Sequence, residues 1–269
     1  MKTYKLFALC AAVLLPAWTV FAQEETLENT TSWKAEVFAS AASGTNTPFW
    51  LASNRYGLVP LDAGNGYGLT GITHHQSLNK DWSWQAGLSL AAVEPRYRNI
   101  LIQEFFAGVS FKNLRLTIGS KENHTSLWDK ALSSGDMVHS ANARPIPELN
   151  LSMPHFTLVP YTKGWLQVKG DFAVGRSFDE AYLKQTVRPG TTYVDNVLWH
   201  HKSGYLRLED TKGNFPVSAT VGLQHWVQWG GTSSNPKIGK QPQSFRDFIR
   251  VVTGSEGGEG ATLSDQINV

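Results

Sequence analysis

A chain of 269 residues with 24 basic and 22 acidic side chains and one cysteine, Cys10, offers neither the basic stripe of a nucleic-acid surface nor the cysteines of a disulfide scaffold. Ten Trp, 13 Phe, eight Tyr and 24 Gly accompany a mean hydropathy of -0.25, and after Ala22 no apolar run approaches the ~20 residues of a membrane helix. Helical membrane proteins are excluded, whereas a membrane β-barrel is not, because its strands hide their hydrophobicity by alternating it.

The chain opens MKTYKLFALCAAVLLPAWTVFA, with Lys2 and Lys5 ahead of an apolar run and Val20-Phe21-Ala22 at its end. This is the layout of a secretory signal peptide, 1–22, cleaved after Ala22. Pro16 interrupts the run and the charged QEETLE follows at once, against a membrane anchor. Cys10 leaves with the leader, as do Lys2 and Lys5, so the expected mature chain has no disulfide and 22 charges of each sign. Residues 23–32 read as a short periplasmic segment and 33–269 as a partial barrel domain.

Period-two alternation predicts about nine strands, at 33–43, 66–78, 82–92, 98–111, 113–121, 149–158, 164–175, 199–209 and 217–229. Most are ten residues or longer, against a usual ~5–6 in soluble proteins. The stretch WSWQAGLSLAA shows the pattern: Trp82, Trp84, Ala86, Leu88, Leu90 and Ala92 fall on one side, Ser83, Gln85, Gly87, Ser89 and Ala91 on the other. Short turns at 79–81, 112–113, 160–163 and 210–216 alternate with long connections at 44–65, 122–148, 177–198 and from Gly230 onward. Only the link at Glu94 to Tyr97 is shorter than the pattern asks. An up-and-down meander with short turns on one side and long loops on the other is how outer-membrane barrels are built. In that reading the long loops are extracellular, and Glu104, Arg115, Lys169, Asp171, Arg207 and Glu209 face inward, since Lys or Arg on a lipid face costs about 2–4 kcal/mol near the midplane. A secreted β-sandwich whose apolar faces meet each other stays open on the alternation alone. Nine is odd where single-chain bacterial barrels have even counts, so the sequence reads as the front of a longer barrel.

Signals for catalysis are thin. His74-His75 and His200-His201 are adjacent on strands and point to opposite faces, so neither pair can chelate one ion. His124, His139, His155 and His225 have no metal-ligand spacing, no GxSxG elbow is present, and TGSEGGEGA at 253–261 lacks the strand-to-helix context of a phosphate loop. No metal, cofactor or nucleophilic triad is expected. SFRDFIRVV places Phe245, Phe248, Ile249 and Val252 at helical spacing and predicts a short helix near 245–252, packed in or over the barrel mouth. The densest polar cluster runs from Gly119 to Leu149 and offers Lys121, Glu122, His124, Asp129, Asp136 and Arg144 around Trp128, with Pro145 and Pro147 at its exit. Carbohydrate sites pair an aromatic face with charged or amide groups. The segment therefore reads as a plug in the lumen, a glycan contact, or both.

PFWLASNRYGLVP at Pro48, GSKENHT at Gly119, LSSGDM at Leu132, SANARPIPEL at Ser140, YTKGWLQVKGDFAVG at Tyr161 and HWVQWGGTS at His225 resemble, in their order, the capsule assembly protein Wzi family in its Bacteroides-like form. The resemblance implies an all-β fold, an antiparallel up-and-down outer-membrane β-barrel of about 18 strands, of which about nine are present. It implies a surface lectin that attaches or organises capsular polysaccharide. No helical bundle precedes the first strand, a departure from better-known members. The expected function is thus non-enzymatic, with capsular or surface polysaccharide, outer-membrane lipid and the outer-membrane insertion machinery as partners and no nucleic acid. Lys121, Glu122, His124 and Arg144 are the candidate polar contacts, with Trp128 or Trp229 as the stacking surface. The alternative is a porin-like channel for sugars or small solutes, and a third reading is an outer-membrane hydrolase.

Overall fold

The computed structural model describes residues 29–95, 100–122 and 138–255; the expected leader lies outside them. Along the chain come β1 (Thr30–Asn46), α1 (Phe49–Ala52), β2 (Asp62–Ser77), β3 (Trp82–Glu94), β4 (Ile100–Phe111), β5 (Leu114–Ser120), β6 (Glu148–Leu158), β7 (Leu166–Arg176), α2 (Glu180–Thr186), β8 (Val194–Asp195), β9 (Leu198–Leu208), β10 (Ala219–Trp229), β11 (Thr232–Ser233) and α3 (Phe245–Thr253). The fold is mostly β. Nine strands form one antiparallel up-and-down sheet in the order β1-β2-β3-β4-β5-β6-β7-β9-β10, and β8 pairs with β11. All nine expected strands are present within a few residues, and β1 starts inside the segment expected to precede the sheet. Among the described residues no pairing joins β10 to β1, and the sheet is not closed.

The short turns are set by local chemistry. Asn79 Oδ1 accepts from the backbone N of Asp81 and of Trp82, at 2.9 and 3.0 Å, which turns β2 into β3. Lys112 takes the left-handed conformation, φ 52°, in the tight link to Asn113, and Asn113 Nδ2 reaches across to the carbonyl of His155 at 2.6 Å. Asp210 accepts from the backbone N of Lys212, Asn214 and Phe215 and shapes the turn before β10. Those three donors, Lys212 foremost, hold its carboxyl below the usual range.

The alternation is inverted relative to a water-soluble sheet. On β3, Gln85 and Ser89 are buried while Leu88 and Leu90 are exposed. On β4, Gln103 is 1% exposed and Ser110 is buried, with Ile100, Ile102, Phe105 and Val109 outside. Thr117 on β5, Asn150 on β6, Gln167 on β7 and His201 on β9 continue the buried polar face. Leu114, Leu116, Ile118, Leu149, Leu151, Leu206, Leu208, Val221 and Leu223 are the exposed apolar ones. The alternation on β4 slips once, because Gln103 and Glu104 both turn to the polar face; the extra inward residue acts as a β-bulge.

Contacts divide the chain into two compact units: Met1–Ser77 with Ala86–Phe105 and Glu122–Pro145, and Leu78–Gln85 with Phe106–Lys121 and Ile146–Val269. The first unit has a core of Ala52, Leu58, Val59, Tyr67, Leu69, Ala91, Val93 and Leu101, flanked by Phe38. Three of these come from the connection between β1 and β2, so that loop folds back onto the buried face of its own strands. The expectation gave the plug role to the segment after β5, of which 123–137 lie outside the described residues; the segment seen on the buried face of the strands is the connection at 47–61. In the second unit α3 starts from a capping box, with Ser244 accepting from Asp247 N and Asp247 accepting from Ser244 N, and stops at Gly254, φ 68°. The helix expected at 245–252 is therefore present. It packs on the apolar face of β9 and β10 and not over a mouth, because Phe248 meets His200 and Trp229, and Lys202 Nζ donates to the Val252 carbonyl.

Candidate functional site

In the first unit the polar face carries a linked set of charges. Glu36 Oε1 on β1 accepts from Arg55 Nη1 at 3.1 Å and from the Tyr67 hydroxyl at 2.5 Å, and the Arg55 guanidinium lies 5.3 Å from the centre of the Phe38 ring. Beside it, Glu104 accepts from Ser89 Oγ and from the backbone N of Glu122, both at 3.0 Å. The Glu122 carboxylate takes Gln103 Nε2 at 3.3 Å and faces Lys34 Nζ at 3.9 Å. Gln103 Oε1 and Arg144 Nε are buried without a hydrogen-bond partner among the described residues. Both are groups that a water or a ligand oxygen or hydroxyl would satisfy.

The loops above this set are tied together. Asn54, Tyr56 and Gly57 all have left-handed backbone, φ 58°, 49° and 69°. Tyr56 N donates to the Ala141 carbonyl, Gly57 N to Asn142 Oδ1, and Gln103 Nε2 to the Tyr56 carbonyl, each at 3.1 Å. Arg144 Nη2 donates to the Ile102 carbonyl at 2.8 Å, and its Cγ would lie 2.7 Å from a Cβ at Gly57. Only glycine fits there, for conformation and for space. Two large aromatics of α1, Phe49 and Trp50, stand 68% and 75% exposed on the same connection as Tyr56 and Gly57.

The second unit holds a different cluster on its polar face. His201 Nε2 lies 2.9 Å from Glu148 Oε2 and its Nδ1 2.8 Å from Asp171 Oδ2, so three neighbouring strands meet at one ring. Trp226 on β10 stacks on that ring at 4.0 Å and 11°. Ser203 Oγ donates to Asp171. Both ring nitrogens face carboxylates, so neither is directed at the Ser203 hydroxyl as a base would be in a nucleophilic pair. His200 points the other way and is packed by Phe172 at 4.7 Å, as the opposite-face reading of that pair required. Further along the same polar face, Arg207 stacks 3.7 Å over Phe156, Lys169 lies 5.9 Å from that ring, and Glu209 accepts from Gln167 at 2.9 Å. Among the described residues no group of three or more His, Cys, Asp and Glu is placed to hold a metal ion.

Of the residues singled out from sequence, Glu122 and Arg144 sit in the network just described. Lys121 belongs to the second unit, where its Nζ lies 4.7 Å over the Phe106 ring and 3.4 Å from Gln85 Oε1. Trp229 is on the apolar face of β10, against Phe248 at 6.0 Å. His124 and Trp128 lie outside the described residues. Sequence reasoning passed over Glu36, Arg55, Phe49 and Trp50, although the last three stand in the quoted stretch PFWLASNRYGLVP. It also passed over Glu148 and the stack of Trp226 on His201, which strand register alone brings together.

No protein-family model and no curated protein matches the chain.

Proposed function

We propose that this chain forms part of an outer-membrane β-barrel that holds capsular or other surface polysaccharide, as the resemblance to the Wzi family implies. The observation that carries the membrane half of this reading is the inverted sheet: Gln85, Ser89, Gln103, Thr117, Asn150 and Gln167 are buried while the leucines, isoleucines and phenylalanines between them are exposed. In water each exposed apolar Å² forfeits about 25 cal/mol, and contiguous exposed patches beyond a few hundred Å² mark interaction or membrane surfaces. Lipid removes that cost. A sandwich would need a second sheet over this face, whereas among the described residues the only other sheet is the two-stranded β8–β11 pair, and α3 packs on part of the face. Of the six charges expected to face inward, five lie on the polar faces of their strands and Glu209 lies just past the end of β9 on the same side, as the partners Ser89, Ser110, Phe156, Ser203, Thr220 and Gln167 record. Trp82 against Phe111 and Trp165 against Phe215 stand near the short turns, the arrangement of an interfacial aromatic girdle.

The polysaccharide half rests on the loops at the other strand ends. Glu122, Gln103 and Arg144 belong to a polar lattice in which Gln103 Oε1 and Arg144 Nε have no hydrogen-bond partner among the described residues, and Phe49 and Trp50 are exposed on the same connection whose Tyr56 and Gly57 tie into it. Aromatic planes beside fixed amide and charged groups suit a sugar ring, whose C–H face and hydroxyls need both. The full-length protein should hold capsule at the cell surface, and unchanged capsule retention after deletion of its gene would sink the reading. Mutually paired charges on the polar face favour a closed interior over the porin-like alternative, and a stable single-channel conductance in planar bilayers would reverse that preference.

A further inference from the structure

The apolar face of β9 and β10 carries an anomaly. Leu208, Leu206, Val221 and Leu223 are exposed, but the next row holds His200, Lys202 and His225, where an ammonium would be costly against hydrocarbon. This is the row that α3 covers. Lys202 Nζ donates to the Val252 carbonyl, Phe248 meets His200 at 6.2 Å and Trp229 at 6.0 Å, and His200 Nδ1 is satisfied by the Ala173 carbonyl at 2.9 Å. The helix does not use all of its apolar side in doing so. Phe245 and Ile249 belong to the same helical face as Phe248 and Val252, yet stand 77% and 45% exposed.

The charge around α3 departs from the rest of the chain. Between Gly230 and Arg250 there are four basic residues, Lys237, Lys240, Arg246 and Arg250, and one acidic residue, Asp247, in a protein whose charges otherwise balance. Asp247 is spent on the capping box and on Arg250 at 3.8 Å, and Arg246 makes no hydrogen bond or ion pair among the described residues. A short helix with uncovered apolar side chains on one face and arginines on the next lies in a membrane interface, its apolar side chains in the acyl boundary and its cations at headgroup level. Arginine is the side chain best suited to phosphate there, because its planar fork binds two oxygens at once.

We propose that α3 and the row it covers form a lipid-headgroup site: Phe245 and Ile249 enter the apolar layer, and Arg246 and Arg250 take the phosphates of an anionic lipid. The proposal rests on the membrane reading above and places one boundary of the apolar band at Lys202 and His225. In the full chain with Cys10→Ala, a fluorophore is attached at Ile249→Cys or, separately, at Leu223→Cys. Each protein is reconstituted in phosphatidylcholine vesicles containing chain-brominated lipid A, which bears phosphates, or a chain-brominated galactolipid, which bears none. Quenching at position 249 should favour lipid A, and that preference should fall about fivefold with Arg246→Gln and again with Arg250→Gln, the factor corresponding to ~1 kcal/mol per basic side chain at an anionic surface. The label at 223 should be quenched by both lipids without preference. No quenching at 249, or a preference that ignores both arginines, overturns the proposal. Quenching at 223 in that case shows that the strand face does lie in lipid and that only the role of α3 fails; loss of quenching at both sites refutes the membrane reading and this one with it.

Discussion

His201→Leu tests whether the bridge between Glu148, Asp171 and Trp226 holds β6, β7, β9 and β10 in register. The histidine side chain is 4% exposed, and the two carboxylates retain 19% and 21% of their surface. Removing one member of a buried ion pair costs about 3–5 kcal/mol, because the remaining charge is stranded. Partial access of both carboxylates to solvent puts this case at the lower end, and loss of the stack on Trp226 adds about 0.5–1.5 kcal/mol. The expected destabilisation is about 3.5–4.5 kcal/mol. Urea unfolding in detergent micelles, followed by far-ultraviolet circular dichroism and by tryptophan fluorescence, would read it. Adding Glu148→Gln and Asp171→Asn to His201→Leu removes the stranded charges and should return much of the loss. A single variant within about 0.5 kcal/mol of the parent, or three substitutions whose effects simply add, would refute the reasoning, since neighbours in one network must couple.

Gly57→Ala should loosen the lattice of the first unit by more than ~1 kcal/mol, because it combines a left-handed backbone with a clash against Arg144; hydrogen exchange at Tyr56 and Gly57 would report it. Leu151→Lys on the apolar face should cost about 2–4 kcal/mol of folding into bilayers, and a cost near zero would argue that this face does not meet lipid. Ser244→Ala should lower α3 stability by about 1 kcal/mol, seen as faster exchange of its amides with the sheet unchanged. The same cap gives a pH dependence. Hydrogen bonds from Ser244 hold Asp247 below the ordinary carboxylate range, so its contribution is full above about pH 4 and is lost as pH falls through the lowered value; exchange of the α3 amides should rise in that acid window only.

The strands were legible because a period of two survives whichever face is buried, and because the paired parity of His200 and His201 needs no partner to be read. Their ends were less so. β2 begins at Asp62, four residues before the alternation shows itself, because Gly64, Gly66 and Gly68 occupy its apolar-side positions and leave no side chain to mark the period. Which apolar face meets what is not a property of the pattern at all; the burial of Gln103 beside the exposure of Ile102 supplies it. The candidate site was half legible. Glu122 and Arg144 stood out by density of polar residues, whereas Glu36, Arg55 and Tyr67 are joined by a loop returning onto its own strands, a long-range event with no local signature. The helix at 245–253 was readable from its spacing, but its seat on the sheet depends on Lys202, which the sequence offered no reason to place on an apolar face.

The returning connection between β1 and β2 reverses an ordinary expectation about where such a protein tolerates change. Long connections of strand proteins are the customary places to graft a tag or a foreign epitope. Here Ala52, Leu58 and Val59 are the hydrophobic interior, and the backbone of Tyr56 and Gly57 anchors a second loop. An insertion at 52–59 would act as a core deletion, whereas the tight turn at Asn79 to Asp81, far shorter, places no hydrophobic side chain in a core, and an insertion beside the exposed Lys80 leaves the interior whole.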